Sequence, residues 1–383
     1  MKCHGIDIAS KERLELSFSE VIEAADPLIG RRDDLDYLAP GFIDLQVNGF
    51  AGVDYNSPVA PHEEIARSLD ALFATGVTRF FPTVITGDPE EMTGALHNLV
   101  RARESLADGK AMEGFHVEGP FISPDDGPRG AHPRRWVRPP DIEEFRRFQD
   151  AAEGHVRLIT LSPEWPEAPR FIETVTGEGV VASIGHTKAT SDQIRDAVSA
   201  GATLSTHIGN GAHAVLPRHP NYLWEQLAED RLAASLIVDG IHLPESFLRV
   251  AIRAKGADRA VLVTDAVMPA GCEPGIYKLG EVDVELHSDG SVRLLGGTRL
   301  AGSALKMNDA IANVMRIARI SLSEAITLAT KNPARVGRIA SRQRGLVPGD
   351  RADIVRFRVV EETGRIEVLE TWFAGRRVYG IPA

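Results

Sequence analysis

The chain has 383 residues, 43% of them apolar, so it can bury a large core; length alone permits roughly two or three domains, or one barrel larger than the usual domain. Its formal net charge of −11 leaves no broad basic surface, which excludes a general nucleic-acid binder but leaves room for a small anionic substrate. Cys3 and Cys272 give no disulfide framework, no apolar run is long enough to cross a membrane, and Met1 to Glu20 mixes charges without a signal segment. These features predict a soluble cytoplasmic protein that docks on neither membrane nor nucleic acid.

Residues 1–40 carry strand-like pieces such as Leu14 to Phe18, punctuated by Pro27, Gly30, Pro40 and Gly41. Phe42 to Val47 is then an apolar strand ending in the turn signal Asn48-Gly49. From there strands and helices alternate. Strands are predicted at Val77 to Pro82, Met112 to Val117, Val156 to Leu161, Val180 to Ile184, Ala202 to Thr206, Ala233 to Val238 and Ala260 to Thr264. Helical patterns lie between most of them, clearest at Thr190 to Ala200, where Thr190 or Ser191 caps and Gly201 terminates. Eight such strands predict an α/β fold, a (β/α)₈ TIM barrel spanning 41–339. An open doubly wound sheet would want a glycine-rich phosphate loop after its first strand, and Asn48 to Gly52 does not provide one.

Two segments interrupt the alternation. Residues Ser123 to Pro140 are rich in Pro, Gly and Arg and read as a long irregular loop of the kind that serves an active site. Arg129, Arg134, Arg135 and Arg138 in that loop are read as solvated surface. The second segment, 275–297, alternates over Val282 to His287, turns at Asp289-Gly290 and returns over Val292 to Leu294, predicting an inserted β-hairpin. Helices are expected at Ala304 to Ala318 and at Ser321 to Thr330, the latter with Ser321 and Glu324 as a capping box. Residues 340–383 carry only strand-like pieces. They are expected to join residues 1–40 in a small β-sandwich domain.

The strand ends carry the chemistry. The third strand ends at Glu118, the fifth at His186 and the sixth at His207. Asp239 and His242 follow the seventh, and Asp265 ends the eighth. In a parallel barrel these ends share one rim, where barrel active sites form. A lone histidine at a strand end is usually a hydrogen-bonded structural residue. Separate strands bringing Glu118, His186, His207 and Asp265 to one rim point instead to a divalent metal such as zinc or iron. Three protein ligands leave a position open for water, and Asp265 is a nearby carboxylate able to accept its proton.

These residues and their surroundings resemble the amidohydrolase superfamily, and within it the N-acetylglucosamine-6-phosphate deacetylases. The likeness runs from Pro40-Gly41-Phe42-Ile43-Asp44 through His116-Val117-Glu118-Gly119-Pro120, Gly130-Ala131-His132-Pro133, Gly185-His186-Thr187, Asp239-Gly240-Ile241-His242 and Thr264-Asp265-Ala266 to Gly345 to Ile354. The resemblance implies one divalent ion per subunit on Glu118, His186 and His207, Asp265 as acid/base and His132 polarising the substrate carbonyl. It implies that His242 meets a sugar phosphate, and that Ala131, Asn210, Gly211, Arg218, Leu300, Ala301 and Gly302 contact substrate. It also implies a homodimer, with Arg218 reaching the neighbouring subunit's site. The expected substrate is an N-acetyl amino sugar, foremost N-acetylglucosamine 6-phosphate. The alternatives are an amidohydrolase for another N-acyl amine or an unphosphorylated N-acetylhexosamine, and a non-catalytic sugar-binding barrel.

The chain departs from this pattern twice. Many superfamily members carry His-x-His at the end of the first strand and bind a second metal there, whereas this chain has Gln46-Val47-Asn48, and amides are poor zinc ligands. After His207 the relatives usually read aromatic-Asn-Ala-Met. Here the sequence is Ile208-Gly209-Asn210-Gly211-Ala212-His213, which reshapes the loop expected to hold phosphate.

Overall fold

The computed structural model describes residues 1–28, 36–279, 282–339 and 344–381. Eight parallel strands form the barrel: Phe42–Val47, Val77–Ile85, Phe115–Glu118, Val156–Leu161, Val181–Ile184, Leu204–Ser205, Ala233–Leu236 and Ala260–Leu262, each paired with the next in chain order. The sheet closes on itself through a parallel bridge between Val47 and Ala266, with Asp265 N donating to the Gln46 carbonyl at 3.0 Å and Asn48 N to the Ala266 carbonyl at 2.7 Å. The expected barrel is present, with strand ends displaced by a few residues. The largest change is the sixth strand, which pairs only through Leu204 and Ser205.

Helices between the strands bury one stripe against the barrel. Met307–Ala318 buries Met307, Ala310, Ile311, Val314 and Ile317, the three-and-four spacing of an amphipathic helix. Capping sets where the helices begin. Thr190 and Gln193 form a capping box at Ser191–Ser199, Ser321 and Glu324 another at Leu322–Ala329, and Asp88 caps Pro89–Ser105 with proline at its first position.

The terminal segments meet in one seven-stranded sheet. Its order is Arg376–Gly380, Ile366–Phe373, Ile354–Val359, Tyr37–Pro40, Lys2–Asp7, Arg13–Phe18 and Ile22–Pro27. A small core of its own, including Leu16, Phe18, Ile354 and Trp372, draws from both ends of the chain. Residue 340, where the sequence places the return to this sheet, lies outside the described residues.

The inserted hairpin is larger than its sequence signal. Val282–Leu286 and Ser291–Leu294 pair as expected, but Gly275–Leu279 and Leu300–Ser303 flank them in a four-stranded antiparallel sheet. The last strand returns to the barrel seam through a bridge between Ser303 and Ala266. No helix among the described residues is long and apolar enough to cross a membrane.

Candidate active site

Glu118 is the last residue of the third strand, and His186 and His207 each lie just past the end of theirs. All three are buried, and their ligand atoms lie within 4.8 Å of one another. Glu118 Oε1 stands 3.1 Å from His186 Nε2 and 2.8 Å from His207 Nε2, and the two Nε2 atoms are 3.2 Å apart.

This donor set fits a divalent cation. His186 Nδ1 donates to the Pro128 carbonyl at 2.8 Å, which orients the ring so that Nε2 faces Glu118 and His207. Lone pairs and a carboxylate facing one another in a buried space need a proton or a cation among them. Of the groups that meet here, His207 is the one held toward its protonated form. Burial alone would lower its pKa, but the hydrogen bond to Glu118 and that carboxylate's charge push it up to about 9. Burial likewise opposes ionisation of Glu118, and its bonds to His186 and His207 outweigh that and hold it well below the usual carboxylate range. An ion at this point takes the place of that proton.

Three backbone positions at the site are unusual. His186, His207 and Asp265 hold φ of 48°, 26° and 51°, in the left-handed region that side chains disfavour. Hydrogen bonds hold them there. His207 N donates to Ser235 Oγ at 2.7 Å, and Asp265 is tied through its N to Gln46 and through its carbonyl to Ser303 N. Burial and the charge of Glu118 raise the Asp265 carboxyl to about 6.

The long loop 123–140 is ordered over the rim. It brings His132 to the site, buried, its ring centroid 4.4 Å from that of His186 and edge to face with it. Burial drives the His132 pKa down to about 3, so the ring is neutral, and its Nδ1 has no partner among the described residues. Two arginines read as solvated surface are not. Arg129 donates to the His132 carbonyl at 2.6 Å and pairs with Asp126, and Arg138 grips Glu144 and reaches the Gly87 carbonyl. Arg129 thus binds within the loop and Arg138 ties it to the segments it packs against, which the sequence does not reveal. Arg134 and Arg135 are exposed, as expected.

His242 Nδ1 lies 2.5 Å from Asp239 Oδ2, while Asp239 Oδ1 accepts the backbone N–H groups of Ile241 and His242. Asp239 therefore orients the imidazole, and the Asp-x-x-His spacing was its signal. Asn210 donates to the His207 carbonyl. Gly211 sits against the His186 ring, and a Cβ there would stand 2.6 Å from His186 Nδ1, so glycine is what lets this loop pass the histidine. Leu300, Ala301 and Gly302 lie on the strand that returns to the seam beside Asp265. Ala131 and Arg218 are exposed.

Sequence reading missed Gln46 and Asn48 as working groups. Gln46 Nε2 donates to Glu118 Oε1 at 3.0 Å and to Asp265 Oδ1 at 3.1 Å, and Asn48 Nδ2 donates to Asp265 Oδ1 at 2.7 Å. It also missed the Pro128 carbonyl, which no side chain announces. Beneath the rim, the hydroxyls of Thr160, Thr206 and Ser183 form a buried chain that ends on His116.

A barrel with a glutamate, two histidines and an aspartate on one rim defines a class of hydrolase, and the sequence profile of the amidohydrolase family matches residues 37–378. The chain belongs to the amidohydrolase family. It is 33% identical to the N-acetylglucosamine-6-phosphate deacetylase of Bacillus subtilis over 353 residues, 91% of this chain and 86% of the relative. It is equally similar to the human enzyme of that name, 33% over 359 residues, covering 89% of this chain and 83% of that protein. Among solved structures, the N-acetyl-D-glucosamine-6-phosphate deacetylase of Mycobacterium smegmatis superposes with a TM-score of 0.88 at 29% identity, covering 99% of this chain and all of that one. A mutant of the M. smegmatis enzyme, in complex with N-acetyl-D-glucosamine-6-phosphate, matches with a TM-score of 0.86 at 30% identity over 96% of this chain and 94% of that one.

Proposed function

We propose that this chain is a metal-dependent deacetylase that hydrolyses the acetamido group of N-acetylglucosamine 6-phosphate, giving glucosamine 6-phosphate and acetate. The observation that carries this reading is the convergence of Glu118, His186 and His207 on one point, with Asp265 one bridging amide away. The deacetylases it resembles over most of its length, one of them seen with that sugar phosphate, supply the substrate.

Glu118, His186 and His207 would hold one zinc or iron ion per subunit. When bound, such an ion polarises the amide carbonyl and lowers the pKa of a water molecule. The chain's own groups do the rest. Asp265 takes the proton of the attacking water and returns it to the departing amine, regaining its base form each turnover. His132, neutral, donates an N–H to the carbonyl oxygen as negative charge develops there. His242, oriented by Asp239, meets the phosphate, and Asn210, Gly211, Ala131 and 300–302 line the sugar. Gln46 and Asn48 commit their N–H groups to carboxylates and are poor ligands themselves, which favours a single ion. The assembly would be a homodimer in the cytoplasm. Arg218 stands exposed on a loop whose Val215 is 87% exposed, a position suited to reaching a second subunit, and both cysteines are free.

The test is acetate release from N-acetylglucosamine 6-phosphate and from unphosphorylated N-acetylglucosamine, with bound metal counted by plasma emission. Asp265→Asn is expected to retain metal and lose at least about 100-fold in kcat. Equal turnover of both sugars would move the reading to an unphosphorylated N-acetylhexosamine. An unimpaired Asp265→Asn would remove Asp265 from the mechanism.

A further inference from the structure

Residues 44, 46 and 48 alternate along the first barrel strand and its exit, so their side chains point to one face, the barrel interior. Apolar branched residues usually fill that face. Here it carries a carboxylate and two amides, all buried. Each is spent on a contact across the seam where the first and eighth strands meet. Asp44 accepts from Thr264 Oγ1 at 2.5 Å, from Thr264 N at 3.2 Å and from Gln46 N at 3.2 Å. Gln46 Nε2 spans Glu118 Oε1 and Asp265 Oδ1, and Asn48 Nδ2 reaches the same Asp265 Oδ1. Turning the Asn48 amide over would aim its oxygen at a carboxylate, so the nitrogen faces Asp265.

Asp265 Oδ1 thus accepts two amide N–H groups, while no described residue donates to Oδ2. We propose that Asp44, Gln46 and Asn48 are positioning residues, a rail that pins Oδ1 and leaves Oδ2 as the oxygen that moves the proton. This rests on Asp265 being the acid/base. In the step assigned to it, Oδ2 accepts a proton as the O–H bond of the attacking water breaks. It gives that proton to the amide nitrogen as the C–N bond breaks, and nothing is oxidised or reduced. Asp44 acts at one remove. It fixes Thr264, whose neighbour must hold a left-handed backbone for its carboxylate to reach the rim.

The experiment uses the full chain loaded with zinc and N-acetylglucosamine 6-phosphate as substrate. Gln46 is left alone because it also touches Glu118. Asn48→Leu and Asp44→Asn are each expected to lower kcat about 10- to 100-fold, the loss that follows when a reacting group is misplaced by about 1 Å. KM should stay within about threefold and bound metal at the parent's stoichiometry. Thr264→Val should reproduce Asp44→Asn, and Thr264→Ser, which restores the hydroxyl, should recover most of the rate. Asn48→Leu with kcat within about twofold of the parent, or with its loss lying in KM or in bound metal, overturns the rail. Asp265→Asn keeps the two claims apart. If it is inactive while Asn48→Leu and Asp44→Asn are unimpaired, only the rail fails; if it turns over normally, the acid/base reading fails first.

Discussion

At the scale of single residues, the site is held in conformations the chain would otherwise avoid. Nine non-glycine residues among those described have positive φ, and His186, His207 and Asp265 are three of them. A left-handed non-glycine residue costs about 1–2 kcal/mol, and such strain persists only where surrounding bonds overdetermine it. At Asp265 the bonds are those to Gln46 and Ser303. Glycine lacks the Cβ that makes this backbone costly. Asp265→Gly is therefore expected to be more stable than Asp265→Ala by about 1 kcal/mol, although glycine is ordinarily the less stabilising of the two. Both variants are expected to be inactive, which keeps the comparison free of function. Urea unfolding of the two proteins gives the difference directly, and an alanine variant as stable as the glycine one would mean that the backbone at 265 is unstrained.

At the scale of elements, the first strand and the seam it makes with the eighth carry a pH signature. Burial is the main reason the Asp44 carboxyl is pushed up to about 7, with the charge of Asp265 adding to it and the bonds from Thr264 and Gln46 opposing it. In the unfolded chain the same group titrates near about 3.9. Between those values the folded chain holds a proton that the unfolded chain has released. The stability Asp44 contributes is therefore full below pH about 4 and is lost as pH rises through about 7, with a ceiling of about 4 kcal/mol. Asp44→Asn cannot ionise. The gap between its Tm and that of the parent should shift in favour of the variant as pH is raised from 4.5 to 8 in thermal scans, and a gap independent of pH would show that Asp44 does not titrate with folding. The strand itself was legible: Phe42–Val47 sets four apolar residues around Asp44 and Gln46 ahead of the turn signal Asn48-Gly49, and Glu118, His186, His207 and Asp265 stood out because each ends or follows an apolar strand. What Asp44, Gln46 and Asn48 do was not legible, because their partners lie 72 to 220 residues away and an amide carries no motif. The inserted sheet was half legible. Its central hairpin has a turn signal, whereas Leu300–Ser303 finds its partners only once the seam exists.

At the scale of the whole molecule, function and stability sit at opposite ends of the barrel. The rim at the C-terminal ends of the strands carries the chemistry, and the sheet made by the chain termini packs against the starts of the first two strands, where Gly41 N donates to the Asp353 carbonyl and Phe42 packs on Phe357. Arg79, near the start of the second strand and only 2% exposed, joins the two bodies. Its Nε donates to Asp353 Oδ2 at 2.8 Å and its Nη1 to Glu113 Oε2 at 3.0 Å. Asp353 is itself fully buried and also takes Arg351 and the Ala374 N–H. Removing one member of a buried ion pair costs about 3–5 kcal/mol, because the charge left behind stays desolvated. Arg351 still covers Asp353, so Arg79→Leu belongs at the lower end, about 3 kcal/mol. Nothing in this contact touches the rim, so kcat and KM at a temperature where the variant is folded should match the parent. Denaturant unfolding beside acetate-release kinetics tests both halves at once. A stable variant would make the clip dispensable, and a folded variant with impaired kcat would mean that the terminal sheet reaches the site through the barrel.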